Sequence, residues 1–140
     1  MKILLAIDGS PYTKKMLAYL ATHAETLGPN NRFTLINVQP PLPPRARAAV
    51  GADMAKQFHD EEASKVINPV LKFLKRHDIT PEVITKVGHA GELIAKAADG
   101  GKFDLLMMGS HGHGTLGNLV MGSVATTVVA HCGVPVMLVR

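Results

Sequence analysis

Tryptophan is absent from this chain, cysteine occurs once, and aromatic residues make up only 4% of the total. With Cys132 as the single thiol, no disulfide framework can form within the chain. So few rings leave little material for the stacked aromatic platforms that grip single-stranded nucleic acid. Long apolar runs are also missing. The N-terminal "MKILLAIDGS" carries one Lys and a short hydrophobic stretch ending at Asp8-Gly9, too short for a signal h-region or a membrane span. A cytoplasmic protein without a membrane partner is therefore expected. Acidic residues are in the minority, 11 against 15 Lys and Arg, for a formal charge of +4. The basic residues are scattered, however, in short groups such as Lys14-Lys15, Arg45 with Arg47, and Lys72 with Lys75-Arg76. Such groups read as solvated helix faces, so no nucleic-acid partner is expected, while the modest positive balance suits an anionic small ligand.

What the chain does have is enough length and apolar content for one domain, residues 1–140, with 46% hydrophobic and 19% charged residues. Ile3 to Ile7 reads as a buried strand that stops at Asp8-Gly9-Ser10-Pro11, where Ser10 and Pro11 suit the N-cap and first position of a helix. Apolar residues then recur at helical spacing from Met16 to Leu27, and Gly28-Pro29 ends them. Phe33 to Val38 is a second strand. The proline-rich "QPPLPPRARAAVGAD" reads as a mobile surface loop. A long helical pattern follows, with Phe58, Ala63, Val66, Ile67, Val70, Leu71 and Leu74 on one face and a kink or break expected at Pro69. Strands at Glu82 to Val87, Phe103 to Met108 and Val134 to Val139, with helices at Gly91 to Ala98 and about Ser123 to His131, complete the alternation.

Alternation of this kind predicts the α/β class: a single-domain, open, five-stranded parallel sheet with helices on both faces, Rossmann-like, in the order 3-2-1-4-5. In such sheets ligands sit beyond the carboxyl ends of the strands, where the strand order reverses. The loop after strand one, Asp8-Gly9-Ser10, would then face the loop after strand four, "MGSHGHGTLGNLVMGSV". Gly109, Gly112 and Gly114 allow positive φ and let backbone N–H groups approach an anion. Gly122-Ser123 opens a helix whose first N–H groups have no internal partners, and the Ser123 hydroxyl adds a donor. No Gly-Lys-Ser/Thr follows, so this is not a Walker A loop. Gly112, Gly114 and Gly117 form a nominal Gly-x-Gly-x-x-Gly, but after the wrong strand and without an acidic residue for a ribose.

The spacing Gly109-x2-Gly112-x9-Gly122-Ser123 matches the pattern of the ATP-binding branch of the universal stress proteins, which this chain resembles over nearly its whole length. "ILLAIDGS" is similar to that family's first strand and turn, "LINV" to its second strand, and "GSVATTVVAHCGVPVMLVR" to its last helix and strand. The resemblance implies that Ala6, Asp8 and Val38 surround adenine and ribose, with Ser10 in the adjoining loop. It implies Met108 and Gly109 at the sugar end and Gly112, Gly122, Ser123 and Val124 at the phosphates. Asp8 would orient a nucleotide-bound Mg²⁺ through water. His111, before Gly112, and His113 beyond it would stand at the rim of the cleft, placed to donate to a phosphate. The apolar final strand, an edge in the proposed order, predicts a homodimer through Val134 to Val139, as the resemblance also implies.

Other readings compete for the same residues. Asp8-Gly9 is also a common turn pair. His111 and His113 lack a third ligand nearby in sequence, short of a zinc site. Asp60, Glu61 and Glu62 are consecutive on a helix and point in different directions, as a solvated face does. Ser123 and His131 lie two helical turns apart, roughly 12 Å, too far for a nucleophile and its base. Cys132 reads as a packed thiol. Three functions stay open at this point: an ATP-binding regulatory stress-response homodimer, a slow or partner-dependent ATPase or phosphoryl-transfer enzyme, and a structural dimer module with an empty cleft.

Overall fold

A short apolar segment that both faces of a sheet will bury has to read as a continuous hydrophobic run, and β1, Lys2–Ala6, does so. Ile3 and Leu5 point into one packed layer and Leu4 and Ala6 into the other. In the computed structural model, which describes residues 1–114 and 120–140, the chain continues with helices α1 (Pro11–Thr22) and α2 (Ala24–Leu27) and strand β2 (Arg32–Gln39). Next come α3 (Pro44–Lys75), β3 (Glu82–Val87), α4 (Ala90–Gly100), β4 (Leu105–Gly109), α5 (Ser123–His131) and β5 (Val136–Val139).

The sheet order is β3-β2-β1-β4-β5, and every adjacent pair is parallel. This is the expected α/β architecture and order. One layer packs Ile3, Leu5, Phe33, Leu35 and Met107 against Met16, Leu17 and Leu20 of α1 and Ile67, Val70 and Leu74 of α3. The opposite layer packs Leu4, Ile36, Leu106 and Met108 against Ile94 and Ala98 of α4 and Ala125 and Val128 of α5. Burying each such Leu or Ile side chain contributes about 1.5–3 kcal/mol, which holds β1 and β4 side by side at the centre of the sheet.

Three local expectations fail. The proline-rich segment is helical from Pro44, with Pro43 as N-cap and Pro44 at the first turn. Prolines fit there, and the following "RARAAV" is made largely of good helix formers. The break inside α3 falls at Gly51, whose φ of 79° and ψ of 174° are non-helical, and not at Pro69. Pro69 and Lys65, whose carbonyl loses its donor, both lie on the exposed side, where water can take the carbonyl. Phe58 belongs to the outer face of α3, 44% exposed, so the helical stripe that buries α3 begins with Ala55 and Ala63 instead.

Candidate functional site

The strand order brings the carboxyl ends of β1 and β4 together, where crevices form in open parallel sheets. A cleft of about 160 Å³ opens there. Its floor is apolar and buried: Ala6 from β1, Met108 from β4, Ile94 from α4 and Ala125 from α5, with Val38 and Ala90 beside them. Its mouth is polar and more exposed, with Asp8, His111, Gly112, His113 and Ser123.

The β1 side of the mouth is built by hydrogen bonds. The buried Asn37 side-chain amide donates to the Ile7 carbonyl at 2.8 Å, fixing the end of β1 against β2. Asp8 follows, and Gly9 turns the chain with φ +77°. Asp8 Oδ1 accepts from the Ser10 N–H at 2.9 Å and from the Thr13 hydroxyl at 2.9 Å. The Asp8 N–H donates to Thr13 Oγ1 at 3.1 Å. Ser10 occupies the N-cap position of α1, yet its hydroxyl makes no capping bond; it is fully buried and has no partner among the described residues.

The β4 side is strapped to this turn. His113 Nε2–H donates to the Asp8 carbonyl at 2.8 Å. The His111 ring stands 4.9 Å from that of Tyr12, and its Nδ1 pairs with Ser110 Oγ at 2.7 Å. The two ends of the loop close through Gly122 N–H to the Ser110 carbonyl at 2.7 Å, and Ser110 N–H reaches the Val139 carbonyl of β5 at 2.8 Å. The glycines serve close approach more than unusual dihedrals. Gly114 alone among Gly109, Gly112 and Gly114 has positive φ. A Cβ on Gly109 would stand 2.5 Å from Tyr12 Cβ, and one on Gly112 would stand 2.8 Å from Asp8 Oδ2.

Every residue nominated from the sequence lines this cleft except Ser10: Ala6, Asp8, Val38, Met108, Gly109, His111, Gly112, Gly122, Ser123 and Val124. Ser10 sits behind Asp8 and touches the site through its backbone N–H. Gly117, the third glycine of the nominal Gly-x-Gly-x-x-Gly, lies outside the described residues. Sequence reasoning missed Ile7, Thr13, Ala90, Ile94 and Ala125. Thr13 had a signal, a hydroxyl in the first turn of the helix that follows Asp8; Ala90 and Ile94 show only as one face of α4.

Among the lining residues the ionisable groups are the Asp8 carboxylate and the imidazoles of His111 and His113, with no Lys or Arg. Lys15 stands outside, its ammonium 4.7 Å from the Tyr12 ring. Among the described residues no group of three or more His, Cys, Asp or Glu side chains is placed to hold a metal ion. Asp60 and Glu62 pair with Lys56 and Lys65 on the outside of α3, as a solvated face does. Cys132 lies beyond α5, away from the cleft; burial, with the Asp99 carboxylate beside it, pushes its thiol pKa up. No helix among the described residues is long and apolar enough to cross a membrane.

Comparison with known proteins agrees with the fold. The model of the universal stress protein family matches residues 1–140. A universal stress protein of Thermus aquaticus is 33% identical over 140 residues, covering 99% of this chain and 97% of its own length. Another, from Synechocystis, is 31% identical over 99% of this chain, which spans only 42% of that relative's length. The solved structure of the Methanocaldococcus jannaschii protein MJ0577 superposes with a TM-score of 0.80 at 27% identity, covering 99% of this chain and 94% of that one. The fold is shared with the Archaeoglobus fulgidus universal stress protein in complex with dAMP, at TM-score 0.71 and 18% identity over 100% of this chain and 98% of that one. It is shared too with an Arabidopsis thaliana family protein with AMP bound, at TM-score 0.68 and 17% identity over 99% and 90%.

Proposed function

The chain belongs to the universal stress protein family, and from that premise we propose that it binds an adenine nucleotide, ATP with Mg²⁺, in the β1–β4 cleft and acts as a nucleotide-dependent regulatory homodimer in a stress response. The observation that supports this reading most is the single cleft lined by all the nominated residues but one, with an apolar floor and a polar mouth. The family members that carry dAMP and AMP support the adenine nucleotide class. A cavity of about 160 Å³ is below the ~300 Å³ at which small-molecule pockets usually begin. The flat base fits over Ala6, Met108 and Ile94, and the sugar and phosphates run out across the glycines. There the N–H groups of the first turn of α5, which lack intrahelical acceptors, meet the anionic tail.

Among the described residues the mouth supplies a carboxylate and no Lys or Arg, so a polyphosphate needs its charge neutralised in another way. Mg²⁺ usually keeps several of its waters while bound to substrate phosphates, and Asp8 would orient such an ion through one of those waters. The ion would supply positive charge, while the chain's own residues orient the nucleotide. Phosphoryl transfer would need a positioned base and cationic groups at the γ-phosphate, and none of the lining residues supplies them in that form. The test is thermal unfolding with ligand: ATP·Mg²⁺ at a hundredfold excess over Kd stabilises the fold by about 2.7 kcal/mol, and NAD does not. No shift at millimolar ATP sinks the reading.

The dimer rests on β5. Leu106 N–H donates to the Pro135 carbonyl and Ser110 N–H to that of Val139. In a parallel ladder alternate residues face the same neighbour, so the backbone groups of Val136 and Leu138 point away from β4. A second copy pairing there in C2 symmetry satisfies both edges. Leu138→Pro removes an outward donor without removing a bond to β4 and converts the dimer to monomer in sedimentation velocity. A wild-type protein that sediments as a monomer at micromolar concentration refutes the dimer.

A further inference from the structure

We propose that Thr13 is a positioning residue of the cleft: its hydroxyl determines which oxygen of Asp8 faces the ligand. The inference rests on the nucleotide reading above and adds to it a residue outside the glycine pattern.

Thr13 is 4% exposed and lies one turn into α1, with its hydroxyl against Asp8. The hydroxyl both donates to Asp8 Oδ1 and accepts from the Asp8 N–H, while the Ser10 N–H takes the second place on Oδ1. Two donors on one oxygen and a return bond through the main chain leave the carboxylate a single orientation. Oδ2 accepts no hydrogen bond from the described residues. It points at Gly112, where a Cβ would come within 2.8 Å of it. The missing side chain of Gly112 thus leaves Oδ2 open to the cleft, and Thr13 keeps it there. A carboxylate oxygen so presented accepts an O–H from the ligand, either a ribose hydroxyl or a water carried by the nucleotide's Mg²⁺. Without the Thr13 hydroxyl the carboxylate turns about its last torsion, and that acceptor is no longer held in place.

Binding of ATP, with Mg²⁺ and with EDTA, and of 2′-deoxy- and 3′-deoxy-ATP to the full chain tests this by titration calorimetry. Thr13→Val, which keeps the shape and removes the hydroxyl, is expected to weaken ATP·Mg²⁺ about tenfold, the loss typical of a hydrogen bond to a charged group. Thr13→Ser should restore affinity to within about threefold, because the hydroxyl returns. The decisive measurement is the double-mutant cycle with Asp8→Asn: a residue that acts only through Asp8 costs nothing further once Asp8 is altered. If Oδ2 takes a metal-bound water, Thr13→Val abolishes the difference between Mg²⁺ and EDTA; if it takes a ribose hydroxyl, it abolishes the difference between ATP and one deoxy form. Thr13→Ala, read in the same cycle, replaces Thr13→Val if circular dichroism shows the latter unfolded. Undiminished affinity in the hydroxyl-free variant, or a loss that adds in full to that of Asp8→Asn, overturns the inference while leaving nucleotide binding intact. A wild-type chain that binds none of these nucleotides overturns both.

Discussion

The floor and the mouth of the cleft are made in different ways. Ala6, Met108 and Ile94 of the floor belong to the same packed layer as Leu4, Ile36 and Leu106. Their positions are consequences of folding, and a change there is felt by the core as well as by a ligand. The mouth is held by a few hydrogen bonds: one from His113 to Asp8, one from Gly122 to Ser110, and two between Asp8 and Thr13 in the first turn of α1. Those residues can be altered with little cost to the core. In the proposed nucleotide complex the flat base would rest on the first kind of surface and the anionic tail on the second. Adenosine and ATP therefore separate the two regions, since adenosine lacks the tail.

The largest effect is expected at the mouth. A Cβ on Gly122 would lie 3.1 Å from His111 Cα and 3.2 Å from the Ser110 carbonyl oxygen, both backbone atoms. Gly122→Val forces the two ends of the loop apart. ATP·Mg²⁺ affinity should fall by about a hundredfold, roughly 2.8 kcal/mol, while adenosine loses little. Equal losses for the two ligands, measured by calorimetry, would erase the distinction between floor and mouth.

A floor variant gives the opposite signature. Ala6 is 7% exposed and ends β1 beside Met108 of β4, with Val38 also lining the cleft. Ala6→Leu fills the space that the base of the proposed nucleotide would occupy, so adenosine and ATP should weaken by the same factor, about tenfold or more. Overpacking of this kind also costs about 1–3 kcal/mol of stability, visible as a lower Tm in the absence of ligand. A variant that binds ATP normally and adenosine poorly would contradict the assignment.

Removing Mg²⁺ comes next in size. With the Asp8 carboxylate and no Lys or Arg along the lining, free ATP meets a like charge, whereas adenosine does not. EDTA is expected to weaken ATP several-fold, AMP less and adenosine not at all, because like charges at close range disfavour one another. An ATP affinity indifferent to Mg²⁺ would mean that the tail is neutralised by main-chain dipoles alone.

The same division explains what could be read from the sequence. The floor was legible because buried parallel strands leave unbroken apolar runs, and Ala6 and Met108 stand at the carboxyl ends of β1 and the apolar run of β4. The glycines of the mouth were legible through their spacing, since Gly109, Gly112 and Gly122 stand where a side chain would collide. Partners set by rotamer and by contact between distant segments were not. Thr13 reaches back to Asp8, and Ile94 approaches from a helix far along the chain; no periodicity encodes either meeting. Ser10 misled because residue type and place matched a capping hydroxyl, yet packing turned that hydroxyl inward. In α3 the prolines carried too much weight. Pro43 and Pro44 start a helix, Pro69 is tolerated on a wet face, and Gly51, unremarked in the sequence, supplies the bend.

The smallest effect concerns a residue that belongs to neither region. Cys132 follows α5, and its thiol donates weakly toward Asp99 Oδ1 and the Val134 carbonyl. Burial raises its pKa most, and the neighbouring Asp99 carboxylate adds to the rise; the backbone at Val134 acts in the opposite direction without offsetting them. The thiolate is the reactive form, so at neutral pH the residue should react with iodoacetamide more slowly than an exposed cysteine. The rate should climb only as the solution becomes alkaline. The sign for stability is the same: a thiol held protonated in the folded chain contributes at neutral pH, and the contribution is lost as pH rises through its titration. Saturating ATP·Mg²⁺ should leave the alkylation rate unchanged, and Cys132→Ser should leave both ATP and adenosine affinities as they are. Protection by ATP alone would extend the mouth around α5 to its far end, and protection by adenosine as well would extend the floor.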